Sequence, residues 1–596
     1  MDKRKANLKY IVRAIGLSVK IKSPLSILVS MLGLGAAFLP MLIALRLRIF
    51  TDYLHGLFNE PSLLNSTIFA FAILIFLYIA HTVFTLVQNY FTAQDTARIK
   101  QYIKLQTLEL LSTVPYPYIE SNKAFREKLD FVNQYAGQRA AGSVSLVFSW
   151  IAGLVTFVSV AFLLVQVSPW IVIALVATCI PAVVLSILQK DETYYERTKM
   201  MKEGRLTMYY SDILRSQWYR KEIRFFGLYQ WIRTKWLAFA DIWMTKKHQI
   251  TRKHLIYNTI ADLLRNGVFL AVLLLTAWEI YSEPTQGLGV FMLVITAASQ
   301  LQNVTTNLLV NATSIFSDAK YMEDFFTILE TNRETSPSNN EAPYGQVNIE
   351  FDKVNFSYPG SESLALDGLS VTIKQGEKIA IVGANGSGKS TFVNLICGLY
   401  APQSGSVKVN GDNILDNLWK VRRSLSIIFQ YFCKYQDTLR NNIAVSDPSR
   451  ASDDAKLLSL SEQTGANEVI SSKDNALDEE IGLFSKSGLD LSGGQWQKIA
   501  ITRALFREQA RVYILDEPTA ALDPIAEANI YRNFAALTGD KTTILISHRL
   551  GITSVVDRIL VFDNGKIVED GNHADLIQRG GLYAKMYEAQ AQWYVA

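Results

Sequence analysis

Long apolar runs fill the first half of the chain and short alternating ones the second. Residues 25–45, 66–87, 142–165, 170–188, 256–281 and 287–310 are almost continuously apolar. A helix needs roughly 20 such residues to cross a hydrocarbon layer about 30 Å thick, so the pattern predicts six membrane spans. Pro24 precedes the first span and Pro169 starts the fourth, where a missing N–H costs little. Pro40 and Pro181 fall inside spans, and each is expected to kink its helix. From about residue 345 the apolar runs shorten, glycine-rich turns separate them and charge becomes mixed. Residues 347–356 alternate as a strand does, 378–382 form a strand, 391–399 a helix and 512–515 a buried strand. Residues 331–346 are polar and lack periodicity, as a linker does. The expected architecture is a polytopic α-helical membrane domain over 1–330, the linker, and an α/β domain over 347–596.

The connections alternate in length. Those at 46–65, 166–168 and 282–286 are short, whereas 88–141 and 189–257 are long and read as helical, with dispersed charge over 95–111 and 195–218. The net charge of +5 says little by itself; the placement of the cations says more. Lys3, Arg4, Lys5, Lys9, Arg13, Lys20 and Lys22 precede the first span. Lys199, Lys202, Arg205, Arg215, Arg220, Lys221 and Arg224 lie in the second long connection. The second and third short loops hold no Lys or Arg, and the first has only Arg46 and Arg48 at its edge. Positive residues stay inside, so both termini, both long connections and the α/β domain are expected in the cytoplasm. The first apolar run is too long for a signal peptide and reads as an uncleaved span. Cys179, Cys397 and Cys433 are odd in number and lack a CxxC spacing, which argues against a disulfide framework or a zinc site. Ionisable residues within spans are few: His81, Asp262, Arg265 and Glu279. Asp262 and Arg265 share a helix face and are expected to neutralise each other while facing a central polar cavity.

The chemistry lies in the second half. Gly383, Ala384, Asn385, Gly386, Ser387, Gly388, Lys389 and Ser390 match the GxxxxGK[ST] phosphate loop between a strand and a helix, with Thr391 next in that helix. The glycines let backbone N–H groups turn toward phosphate oxygens, and the helix N-terminus adds partial positive charge. Lys389 is expected at the β- and γ-phosphates and Ser390 on Mg²⁺. The strand over 512–515 ends in Asp516 and Glu517. The first carboxylate suits the metal and the second the attacking water.

Leu491, Ser492, Gly493, Gly494 and Gln495 spell LSGGQ, and with this sequence the chain resembles the ATP-binding cassette (ABC) exporters. The resemblance implies a P-loop ABC ATPase domain behind six transmembrane helices with long cytoplasmic extensions. It implies that Tyr358 stacks on adenine, that Gln430 senses the γ-phosphate and magnesium, that Asp523 lies at a dimer contact, and that His548 is the switch histidine. Ser492, Gly493, Gly494 and Gln495 would close the ATP site of a second subunit. One ATPase domain, six spans and an intact Glu517 imply a homodimer, with a heterodimer also compatible. Short docking helices are implied within 116–135 and near 222–231. Trp496 and the stretch 222–231 resemble exporters of lantibiotics and other modified peptides, which implies a bacterial cytoplasmic membrane, a peptide substrate and peptide-modifying enzymes as partners. A multidrug or lipid-linked-substrate exporter fits the same fold. No nucleic-acid partner is implied. The family's acidic segment before LSGGQ is replaced by Ser485, Lys486, Ser487 and Gly488. Some 24 residues without Cys or His precede the first span, so no cargo-processing protease domain is expected there.

Overall fold

The computed structural model describes residues 9–595 apart from 11, 14–15, 17–19, 22–23, 59, 134–136, 200, 283–286, 335–341, 470–475, 483–487, 518–523 and 548–549. The chain divides into two compact units, Met1–Ser112 with Ala124–Thr331 and Thr113–Lys123 with Asn332–Ala596.

The first unit is helical. Its elements are α1 (Pro24–Ala36), α2 (Leu39–Gly56) and α3 (Leu64–Thr113), followed after the turn region by α5 (Lys123–Phe131), α6 (Gly137–Val167) and α7 (Pro169–Lys199). Then come α8 (Met201–Arg215), α9 (Gln217–Phe225), α10 (Tyr229–Ser282) and α11 (Leu288–Leu329). The intervening α4 (Tyr116–Ser121) packs with the second unit. Among the described residues, six helical segments are long and apolar enough to cross a membrane. Large apolar side chains stand exposed along them, including Phe69, Phe76, Trp170 and Leu274. Water would penalise such faces, whereas lipid does not. Ala44, Val160, Leu164, Leu175, Val294 and Leu301 are fully buried where α2, α6, α7 and α11 meet.

One expectation changes here. The first connection is helical through Gly56, so the short loop is narrower than 46–65. The two internal prolines also behave differently. Pro40 sits in the first turn of α2 after a break at Ala37 and Phe38, and the Thr156 hydroxyl donates to the Ala37 carbonyl at 2.9 Å. Pro181 lies within the continuous α7. Arg265 pairs with Asp262 at 3.1 Å as expected and also donates to the Thr306 hydroxyl at 3.2 Å.

The second unit holds two sheets. An antiparallel sheet has the order β2-β1-β4-β5, from β1 (Ile349–Phe356), β2 (Leu366–Ile373), β4 (Ser404–Val409) and β5 (Asp412–Asn413). The other has the order β10-β9-β3-β8-β7-β6. Its strands are β3 (Lys378–Gly383), β6 (Leu425–Ile428), β7 (Val512–Asp516), β8 (Thr542–Ile546), β9 (Arg558–Asp563) and β10 (Lys566–Gly571). All its pairings are parallel except the β9–β10 hairpin. Between them lie α12 (Lys389–Ile396), α13 (Leu418–Ser424), α14 (Leu439–Ala444), α15 (Asp454–Thr464), α16 (Gly493–Phe506) and α17 (Pro524–Leu537), with α18 (His573–Arg579) and α19 (Leu582–Val595) at the end. Every residue of β7 and β8 is buried, as a central parallel strand covered on both faces requires. Phe351 of the antiparallel sheet stacks on Phe392 of α12 at 4.4 Å, joining the two sheets in one core. A second core gathers α14, α15 and α16 and buries Trp496.

Candidate functional site

The carboxyl ends of parallel strands are where an open α/β sheet binds ligands. Here β3 runs into the loop from Gly383 to Ser390, β7 ends in Asp516, and β8 lies between them. Gly388 has φ +105, and a Cβ there would stand 2.7 Å from the Ala365 carbonyl. A Cβ on Gly383 would stand 2.3 Å from the Phe562 carbonyl oxygen. The loop is thus held in a curl that side chains would break. Ala384, Asn385 and Gly386 are exposed at its crest, while Ser387 is buried and its hydroxyl has no partner among the described residues. A buried hydroxyl left open beside a ring of amides suits an anionic oxygen.

Lys389 donates to the carbonyls of Gly383 and Ala384 at 2.9 and 3.0 Å. Burial lowers its pKa, and Glu517 and Asp516 oppose that shift. The Ser390 hydroxyl donates to Asp516 at 3.4 Å. Burial pushes the Asp516 carboxyl up to about 6; the Ser390 hydrogen bond draws it down, Glu517 adds like charge, and Lys389 offsets it. Glu517 adopts φ +45, an uncommon conformation outside glycine that concentrates at working sites. Its backbone N–H donates to the Ile546 carbonyl at 3.0 Å, and its carboxylate accepts from the Gln430 amide at 3.3 Å. Lys389, Ser390, Gln430, Asp516 and Glu517 therefore converge.

A Mg²⁺ ion fits this donor set. Hydroxyl and carboxylate oxygens are the hard ligands it takes, with substrate phosphates completing its shell. A dication would also relieve the cost of ionising the buried Asp516. Among the described residues no group of three or more His, Cys, Asp or Glu side chains forms a separate metal site.

Tyr358 is half-buried, and its hydroxyl lies 3.1 Å from that of Thr391, which is itself buried. LSGGQ forms the N-terminus of α16. Ser492 accepts from the Gln495 N–H, and the Gln495 carboxamide oxygen accepts from the Ser492 N–H at 2.9 Å, a reciprocal capping box. Accepting leaves the Ser492 O–H proton available, and Ser492 and Gly493 are exposed. Gln495 is committed to the cap. Asp523, His548 and residues 485–487 lie outside the described residues.

Three interactions escaped sequence reasoning. Arg503 of α16 donates to the carbonyls of Asn442 and Cys433 at 2.7 and 3.0 Å, tying the signature helix to the segment after Gln430. The Tyr400 hydroxyl donates to Glu120 in α4. Arg422 forms a two-pronged ion pair with Glu334, inside the expected linker. Only the acid and aromatic content of 116–135 hinted at any of them.

Residues 366–520 match the sequence profile of the ABC transporter family. The chain is 31% identical to the subtilin transport ATP-binding protein SpaT of Bacillus subtilis over 79% of this chain and 76% of that protein. It is 29% identical to the nisin transport ATP-binding protein NisT of Lactococcus lactis subsp. lactis over 74% of each. It is 30% identical to the ATP-dependent lipid A-core flippase of Haemophilus ducreyi over 88% of this chain and 89% of that one. A bacterial Atm1-family ABC exporter with ATP bound shares the fold with a TM-score of 0.78, covering 95% of this chain and 97% of that chain at 22% identity. Together with the six apolar helices and the P-loop unit, these likenesses establish that the chain belongs to the ABC transporter family, as an integral membrane exporter that couples ATP hydrolysis to transport.

Proposed function

We propose that this chain exports a ribosomally made, modified peptide of the lantibiotic kind from a bacterial cytoplasm, working as a homodimer with its termini and ATPase units on the cytoplasmic side. The observation that carries the reading is the likeness to the subtilin and nisin transport proteins across about three quarters of the chain. Trp496, buried in the core beside the signature, lies in the stretch whose sequence resembles exporters of modified peptides.

In this reading the loop from Gly383 to Ser390 and Thr391 hold the phosphates, and Tyr358 supports the adenine. Lys389 exchanges its loop carbonyls for β- and γ-phosphate oxygens. Ser390, Asp516 and Gln430 would hold Mg²⁺, which would supply positive charge to neutralise those oxygens. Glu517 accepts the proton of the water that attacks the γ-phosphorus as the bond to the bridging oxygen of ADP breaks. Ser492 and the Gly493 and Gly494 amides of one subunit close over the γ-phosphate bound by the other. Asp523 belongs to that dimer contact and His548 to the γ-phosphate side. The exposed aromatics Phe225, Phe226, Tyr229 and Trp231, within 222–231, serve as the second docking surface.

A second reading, export or flipping of a lipid-linked substrate, draws on the flippase likeness over 88% of the chain. Uptake of a labelled modified precursor peptide into inside-out vesicles separates the two. ATP-dependent uptake in the wild type, lost in Glu517→Gln, is the expected result. Absent peptide uptake, together with hydrolysis stimulated by lipid, transfers the assignment to the second reading.

A further inference from the structure

Two chains of contacts fasten the turn Thr113–Lys123 to the nucleotide site within the second unit. In the first, the Tyr400 hydroxyl donates to the Glu120 carboxylate, and the Tyr116 ring meets Tyr400 edge-on at 5.7 Å. Tyr400 packs edge-on against Tyr358 at 5.3 Å, and Tyr358 reaches Thr391 in the first turn of α12. In the second, the Glu334 N–H donates to the Thr113 carbonyl at 2.7 Å. The Glu334 carboxylate holds Arg422, whose guanidinium donates to the Cys397 and Gly398 carbonyls at 3.2 and 3.1 Å. Carbonyls at a helix C-terminus lack partners within the helix and favour a cation. The turn is therefore linked to both ends of the phosphate-binding helix.

We infer that Tyr400 and Glu120 are positioning residues that pass nucleotide binding from the adenine side, through Tyr358, into the turn from which α3 runs back toward the spans. The inference rests on Tyr358 being the adenine support. Tyr400 is buried among Phe356, Tyr358 and Tyr116, and close-packed rings shift together instead of opening voids. Burial and the Glu120 carboxylate keep the Tyr400 phenol protonated, so it remains the donor. A displacement of Tyr358 then becomes a pull on Glu120.

The test uses the full-length protein in nanodiscs, with Tyr400→Phe, Glu120→Ala and Glu120→Gln. Trapping of a photoreactive azido-ATP by orthovanadate reads the nucleotide site. The change in tryptic cleavage of the membrane unit on trapping reads its response. Tyr400→Phe and Glu120→Ala are expected to trap nucleotide within about twofold of wild type while the cleavage change weakens at least about fivefold. Glu120→Gln keeps an acceptor oxygen and is expected to restore the change. A wild-type cleavage change in Tyr400→Phe overturns the inference. Loss of trapping in Tyr400→Phe also overturns it, by making Tyr400 part of the pocket. Absence of trapping in the wild type would instead remove the nucleotide-site reading on which the inference stands.

Discussion

Asp516 carries opposed demands at a single carboxyl. It closes a strand whose every residue is buried, yet the metal-ligand role proposed for it needs the charged form. Burial is the main reason its carboxyl is pushed from 3.8 to about 6. The native state therefore holds this proton more tightly than the unfolded chain. The native form loses stability as pH rises from about 4 to about 6, by at most about 3 kcal/mol, and the loss is complete at neutral pH. Asn keeps the shape without the charge. Asp516→Asn is thus expected to melt higher than wild type at pH 8 in the absence of nucleotide, with the gap closing toward pH 5, and to lose hydrolysis at every pH. Thermal unfolding followed across that range checks the sign; an offset independent of pH would show that ionisation of Asp516 is not its cause.

The signature sequence works as an element, because LSGGQ is both a helix start and a candidate phosphate contact. Ser492→Ala removes the cap, costing about 1 kcal/mol, and also the hydroxyl offered to the partner's nucleotide. Gln495→Ala removes only the reciprocal half of the cap. Hydrolysis is therefore expected to fall much further in Ser492→Ala than in Gln495→Ala, with similar small losses in melting temperature. Equal losses of hydrolysis would return Gln495 to direct phosphate contact, as the family resemblance implies. Elements of this kind were legible in the sequence because their logic is local. The phosphate loop and the apolar spans each write their requirement into neighbouring residues. The ends of α3, α10 and α11 were not legible from apolarity, since these helices continue well past their apolar portions into mixed sequence. Pro40 and Pro181 look alike in sequence, and only the surrounding structure separates a broken helix from a continuous one. Tyr400 and Glu120 stand 280 positions apart, and Arg422 and Glu334 stand 88 apart. No window along the chain contains either pair.

At the scale of the whole molecule, the proposed homodimer would have each chain present half of two sites. The strand ends supply Lys389, Asp516 and Glu517, while the exposed start of α16 faces outward with its Ser492 proton unspent. A surface that completes a site only in a second copy calls for a symmetric pair, in which each subunit gives and receives the same contact. The stoichiometry of hydrolysis then becomes measurable without knowing the cargo. Wild-type and Glu517→Gln chains, co-reconstituted in equal amounts with free exchange of subunits, form the two homodimers and the mixed dimer in binomial proportions. If both sites must fire for turnover, only the wild-type pair is active, and the rate drops to roughly a quarter of the all-wild-type rate. If the sites fire independently, the rate stays near one half. Alternating closure of two composite sites, with the spans rearranged once per closed pair, leads us to expect the lower value. A rate near one half would instead mean that each site hydrolyses ATP by itself.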